Sequence, residues 1–169
     1  MGEKIELLYI AEKCSQMDIT DLGKKKFQKL VYLIEKVGNT PLGYDYEIYF
    51  YGPYSRKLDD DLDELSREDL IRYTRRGQSH LIGITGEARG ELEAGRLSAE
   101  WRGFVDESLE RFGGKTPYEL ELLTTTHYVA SLLGPAADRK NIERGVKKIK
   151  GEKFSASKIE TAVSELKLA

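Results

Sequence analysis

Carboxylates are the densest chemistry-bearing groups in the chain. Asp59, Asp60, Asp61, Asp63 and Glu64 fall almost side by side, and oxygen ligands of this kind suit hard cations. On a helix, neighbouring side chains diverge, so only the pairs Asp60/Glu64 and Asp59/Asp63 share a face. The pattern therefore predicts a solvated acidic helix face and no metal site. The two histidines, His80 and His127, lie far apart without a second histidine or a cysteine at ligand spacing. His127 reads as a hydrogen-bonded core or groove histidine. Cys14 is the only cysteine, which rules out an internal disulfide and a cysteine-based structural zinc site. It sits in an apolar stretch with Lys13 as its one basic neighbour, a poor setting for a thiolate. A nucleophile elbow and a P-loop are both missing, and Gly83-Ile84-Thr85-Gly86 lacks phosphate-cradling spacing. The residue types predict no catalytic residues, no cofactor and no enzyme.

Cations form three groups: Lys24, Lys25 and Lys26 with Lys29; Arg72, Arg75 and Arg76; and a run from Arg139 to Lys153. The arginine group is compatible with DNA, and the Arg139 to Lys153 run reads either as a face for an anionic ligand or, more commonly for such a run, as a solvated helix surface. The whole chain nevertheless carries a formal charge of -2 and a pI near 5.8, whereas dedicated nucleic-acid binders show a basic balance or a basic face.

The elements that must position these groups can be read from periodicity and caps. The chain has 169 residues, enough for one domain with a real core and short for two. The apolar stripe Leu7, Leu8, Ile10, Ala11 and Cys14 predicts a buried first helix. A second helix, capped by Asp21, carries Phe27, Leu30, Val31, Ile34 and Val37 and stops at Gly38. Tyr44 to Tyr51 reads as an extended segment, Gly52-Pro53 as a turn, and Tyr54 as the start of a third helix with Leu58, Leu62 and Leu65 inward. Leu70 to Tyr73 and Leu81 to Ile84 predict a β-hairpin, followed by a helix opened by Thr85. This order over 54–92 is that of a winged helix, with the hairpin as the wing. The remainder, 98–169, reads as helices. Ser98 starts one with Trp101, Phe104, Val105, Leu109 and Phe112 inward. Thr116-Pro117-Tyr118-Glu119 starts another with a capping box. Asp138 starts a third with Ile142, Val146 and Ile149 inward, and Ser155 begins the last. The expected fold is mainly α: a single helical domain spanning 1–169, with a winged-helix-like segment and one small hairpin.

Within 44–54 stand six aromatic rings, Tyr44, Tyr46, Tyr49, Phe50, Tyr51 and Tyr54. Tyrosine combines contact area with a polar tip and is favoured in interfaces. Alternation predicts that some rings, Tyr44, Tyr46 or Tyr54, reach a surface.

These residues also carry a resemblance. Lys26-Phe27-Gln28-Lys29-Leu30-Val31-Tyr32-Leu33, followed by Tyr49-Phe50-Tyr51-Gly52-Pro53-Tyr54-Ser55, resembles the signature of the Panacea or SocA-like antitoxin domain, closest to its YwgA-like branch. Phe27 stands where the family's usual residue is leucine. Tyr118 to Tyr128 and Lys150 to Leu166 are similar as well. The resemblance implies a mostly helical domain that acts by binding a protein partner, either a toxin or a protease system to which a toxin is presented. The interaction role it implies falls on Phe27, Gln28, Lys29, Tyr32, Tyr51, Gly52, Pro53 and Tyr54.

Two functions follow as expectations. The first is a non-enzymatic protein-interaction module, antitoxin-like or adaptor-like. The second is a winged-helix transcriptional regulator that meets nucleic acid through Arg72, Arg75 and Arg76. Against the second, the helix preceding the wing holds three basic and seven acidic side chains between Ser55 and Leu70, a balance of -4, where phosphates call for cations. A homodimer stays open. The stretch from Met1 to Lys4 lacks the layout of a signal peptide, and no apolar run approaches the roughly 20 residues of a membrane span, so the expected location is cytoplasmic.

Overall fold

The computed structural model describes residues 2–169, with side chains described from Lys4 onward; Met1, the first residue of the stretch read for a leader, lies outside them. Helix α1 (Gly2–Gln16) turns Leu7, Leu8, Ile10, Ala11 and Cys14 inward, as its stripe predicts. Helix α2 (Lys24–Lys36) runs through the middle of the molecule and is buried from Lys26 to Glu35. Its N-cap is Gly23, without a side-chain cap. The expected cap, Asp21, instead accepts a hydrogen bond from Lys26 Nζ at 2.6 Å. The amides of Val37 and Gly38 both close on the Leu33 carbonyl, ending the helix.

Two hairpins are present where one was expected. β1 (Glu47–Tyr49) pairs antiparallel with β2 (Gly52–Tyr54), Ile48 facing Pro53. Gly52-Pro53 signals a turn, yet in a two-stranded ribbon proline loses nothing when its missing N–H would face outward. The turn falls two residues earlier, at Phe50-Tyr51. Tyr54 thus belongs to a strand, and α3 (Arg56–Arg67) starts after Ser55, whose hydroxyl accepts from the Leu58 amide. β3 (Ile71–Arg76) and β4 (Ser79–Ile84) form the expected hairpin around Gly77 at φ +62°. The Ile82 amide ties it to the Leu22 carbonyl at 2.8 Å. Thr85 caps α4 (Gly86–Ala94).

Ser98 caps α5 (Ala99–Phe112), which buries Val105, Ser108, Leu109 and Phe112. Those positions make an i, i+3, i+4, i+7 stripe. Phe104 lies beside the stripe and is 47% exposed, contrary to its predicted inward position. Helix α6 (Pro117–Leu133) opens with the full capping box of Thr116 and Glu119. Asp138 caps α7 (Arg139–Lys150), and Ser155 caps α8 (Ala156–Glu165). Ile142 and Val146 point inward; Ile149, expected beside them, is exposed. A one-turn 3-10 segment, Gly134–Ala136, joins α6 to α7.

The chain is therefore mainly helical, with two small antiparallel hairpins. Its larger core gathers side chains from α1 to α6 and both strands of the second hairpin. A smaller one joins Val129 and Ala130 of α6 to Ile142, Val146, Phe154, Ile159 and Val163. α6 and α8, which adds Ala162 to the larger core, thus contribute to both.

Candidate partner-binding face

The residues singled out for binding divide by burial. Phe27, Gln28, Lys29 and Tyr32 of α2 are at most 4% exposed. Gly52 and Pro53 are also buried, Tyr54 is half-buried, and Tyr51 is half-exposed. The buried ones form the support of the first hairpin. Gln28 Nε2 donates to the Ser55 carbonyl at 2.8 Å, and Gln28 Oε1 accepts from the Ser55 amide at 2.9 Å. One side chain therefore bonds both backbone groups of the buried residue immediately after β2, whose carbonyl also accepts from the Asp59 amide at 3.2 Å. Gly52, at φ +111°, presses on α6; a Cβ there would stand 3.2 Å from Thr124 Oγ1 and 3.4 Å from Thr125 Oγ1. The Gln-Lys-Leu helix and the Tyr-Gly-Pro strand, well separated in sequence, are one clamp in space.

That clamp holds out the tip of the hairpin. Tyr49 and Tyr51 are about half-exposed and Phe50 is 85% exposed. Of the rings predicted to reach the surface, Tyr44 is held in, while Tyr46 and Tyr54 reach it in part. Tyr44 is buried, its hydroxyl donating to Asp61 Oδ2 at 2.7 Å. Tyr46 is half-buried, donating to Glu35 Oε2 at 2.8 Å, and Tyr54 is half-buried under a stacked Tyr49 ring with centroids 4.9 Å apart. Hydrogen bonds to buried carboxylates draw the first two rings inward, and the turn swings the central ones out.

Lysines surround this tip. Lys150, at the end of α7, donates from Nζ to the Phe50 carbonyl at 2.6 Å and pairs with Glu121 Oε2 at 3.0 Å. Lys153 Nζ meets both Glu121 oxygens, at 2.8 and 2.9 Å. Lys25 Nζ lies 3.6 Å from the Tyr51 ring centroid, a cation–π contact. Glu121 is buried; burial opposes its charge, but the hydrogen bonds from Lys153 and Lys150 prevail and hold its carboxyl below the usual range. Lys29 is 3% exposed. Burial lowers its pKa to about 8; Glu121 acts in the opposite direction, while Lys25, Lys150 and Lys153 add to the lowering. Four lysines thus cluster behind the hairpin, two of which, Lys150 and Lys153, share the Glu121 carboxylate. Beside them, a groove of about 530 Å³ is lined by Ile48, Tyr49, Phe50, Ile149, Lys150 and Lys153. Sequence reading missed Glu121 and the outward turn of Ile149. An acid between leucines, as in Leu120-Glu121-Leu122, was the available signal.

The remaining candidates lie elsewhere. Arg72, Arg75 and Arg76 are exposed on β3. Arg72 is paired with Asp69 through Nε and Nη2, both at 3.2 Å, while Arg76 enters no ion pair among the described residues. The acids of α3 are largely spoken for inside the molecule. Lys24 pairs with Asp59 and Asp63, Lys4 with Glu64 and Glu68, and Asp61 is buried beneath Tyr44 and Lys57. Among the described residues no group of three or more His, Cys, Asp and Glu side chains is placed to hold a metal. His127 Nδ1 shares a hydrogen bond with the Tyr32 hydroxyl at 2.8 Å. Burial, and then Lys36, lower its pKa, which favours the neutral ring. Cys14 is fully buried, and burial pushes its thiol up to about 12. No helix among the described residues is long and apolar enough to cross a membrane.

Together these features define a mainly helical protein that projects a clamped aromatic hairpin beside a lysine cluster. A protein of Bacillus subtilis (strain 168) named "Uncharacterized protein YwgA" is 41% identical over 116 residues, which is 66% of this chain and 67% of that one. The chain belongs to the YwgA family. No family model matches it.

Proposed function

We propose that the protein is a non-enzymatic interaction module that binds a protein partner through the β1–β2 hairpin face, in the manner of an antitoxin or an adaptor. The observation that carries this reading is the clamped tip. Phe50 is 85% exposed on an otherwise well-buried scaffold, and the scaffold spends a buried glutamine and a left-handed glycine on presenting it. Exposed aromatics on a rigid support are what binding hot spots are made of. The resemblance to the Panacea or SocA-like antitoxin domain supports the same reading, because its signature residues are those of the clamp.

The test is site-specific crosslinking in cells. A photoreactive phenylalanine at position 50 is expected to give one defined protein adduct, identifiable by mass spectrometry. The same amino acid at Arg89, on α4, is expected to give none. Absence of any adduct at position 50, with saturable duplex-DNA binding by the purified protein at physiological salt, would sink the reading.

A second reading keeps nucleic acid in view. The α3–β3–β4–α4 order follows that of a winged helix, and the exposed Arg75 and Arg76 stand on the hairpin that would be its wing. It predicts salt-dependent DNA binding that weakens in Arg75→Ala/Arg76→Ala, measured by electrophoretic shift.

A further inference from the structure

The chemistry of the hairpin face specifies what kind of segment it would hold. Of the large apolar side chains exposed on the molecule, Tyr49, Phe50, Tyr51 and Ile149 come together at this one place. Around them the charge is one-sided. Glu121 is already bonded to Lys150 and Lys153, Glu152 pairs with Lys147 at 3.9 Å, and Glu47 lines a separate depression with Asp45, Arg56 and the other edge of Tyr49, so the groove itself carries only lysine charge. Lys25 is exposed, and the Lys153 side chain is 40% exposed. Both ammonium groups approach the same ring, 3.6 and 5.9 Å from the Tyr51 centroid. The face is therefore apolar where it protrudes and cationic behind, with its own carboxylate used up.

We infer that this face takes an acidic peptide segment interleaved with apolar residues, supplied by a protein partner. A carboxylate of the segment docks against Lys25 and Lys153 beside Tyr51, and an aromatic or aliphatic side chain seats between Phe50 and Ile149. The inference rests on the proposed interaction role and narrows it to one chemistry. Single-stranded nucleic acid also pairs anions with rings, but the observations favour peptide. Lys29 is buried and the Lys150 side chain, 6% exposed, is committed to Glu121 and the Phe50 carbonyl, so at the hairpin tip only Lys25 and Lys153 are left to meet phosphates. Tyr49 is already stacked on Tyr54, and Ile149 offers a seat for an aliphatic group rather than a base.

The experiment uses the full chain and fluorescence anisotropy. The probe is a short labelled peptide alternating glutamate with leucine and phenylalanine. Its counterparts carry lysine for glutamate, or serine for the apolar residues, and a uridine oligonucleotide is the rival ligand. Saturable binding of the acidic apolar peptide alone is expected, weakening as salt rises. Phe50→Ser and Lys25→Glu should each weaken it at least tenfold, and Arg75→Glu on the other hairpin should not. Because Lys153→Glu could disturb Glu121, Ile149→Ser serves as the second variant of the seat; circular dichroism verifies folding in each case. No saturation with the acidic apolar peptide, equal binding of all peptides, preference for the oligonucleotide, or indifference to Phe50→Ser and Lys25→Glu would each overturn the inference. If position 50 still crosslinks to a protein in cells under any of those outcomes, the interaction role stands and only the acidic-segment chemistry falls.

Discussion

Gln28 is the side chain on which the position of the first hairpin most directly depends. Replacing it with leucine keeps the volume but strands the buried amide of Ser55, while the Ser55 carbonyl keeps its bond from the Asp59 amide at 3.2 Å. An unsatisfied buried backbone group costs roughly 1–3 kcal/mol, so Gln28→Leu is expected to lose about 1–3 kcal/mol in urea denaturation. Lys29, one residue on, gives the protein a pH dependence of unusual sign. In the fold it releases its proton near pH 8, while in the unfolded chain it holds that proton to about 10.5. The unfolded state therefore binds more protons between these values, and stability rises with pH across the window. The gain is lost as pH falls through about 8, and between the limits it is worth on the order of 3 kcal/mol. Urea titrations at pH 7.5 and pH 9.5 should show wild type gaining stability and Lys29→Met gaining distinctly less. Equal slopes for the two proteins would mean that the amine is not desolvated as its burial indicates.

At the scale of elements, the first hairpin shows what three-residue strands cost and what they need. β2 exists because Gly52 can sit at φ +111° against α6. Gly52→Ala would add backbone strain of about 1–3 kcal/mol and a tight contact with Thr124 Oγ1. A loss of at least 2 kcal/mol is expected, together with faster amide exchange in Glu47–Tyr54. A neutral Gly52→Ala would contradict the clamp. The same elements show where sequence was legible. Helices with strong caps, from Ser98, Thr116, Asp138 and Ser155, begin where their side chains say they should, because a cap is a local interaction. The second hairpin was legible through alternation and Gly77. What escaped was nonlocal. Whether Tyr44 or Phe50 faces water depends on Asp61, Glu35 and Lys150, distant in sequence. Phe104 falls one position beside its helix's buried stripe, whereas Ile149 lies on its stripe but in the last turn of α7, beyond the point where the smaller core ends. The signature residues of α2 and β2 were found, but their role in holding the face could be seen only once Gln28 met Ser55.

At the scale of the whole molecule, α6 and α8 form the seam between two cores. Phe154 is fully buried in the smaller one and packs on Tyr118 with centroids 5.1 Å apart. Phe154→Ala should cost about 3–5 kcal/mol. Because Lys150 and Lys153 flank that core, the loss should also loosen the hairpin face, which hydrogen exchange would register as coupled deprotection of α7, α8 and Glu47–Tyr54. Deprotection confined to α8 would show the face to be independent of this core. The larger core holds Cys14, fully enclosed with its thiol pushed up to about 12. That makes the native fold its own shield against alkylation: iodoacetamide can reach the sulfur only when α1 lifts away. The labelling half-life of unmodified protein, followed by intact mass, is therefore a clock for opening of the main core. It needs no engineered probe and offers one chemical site per chain.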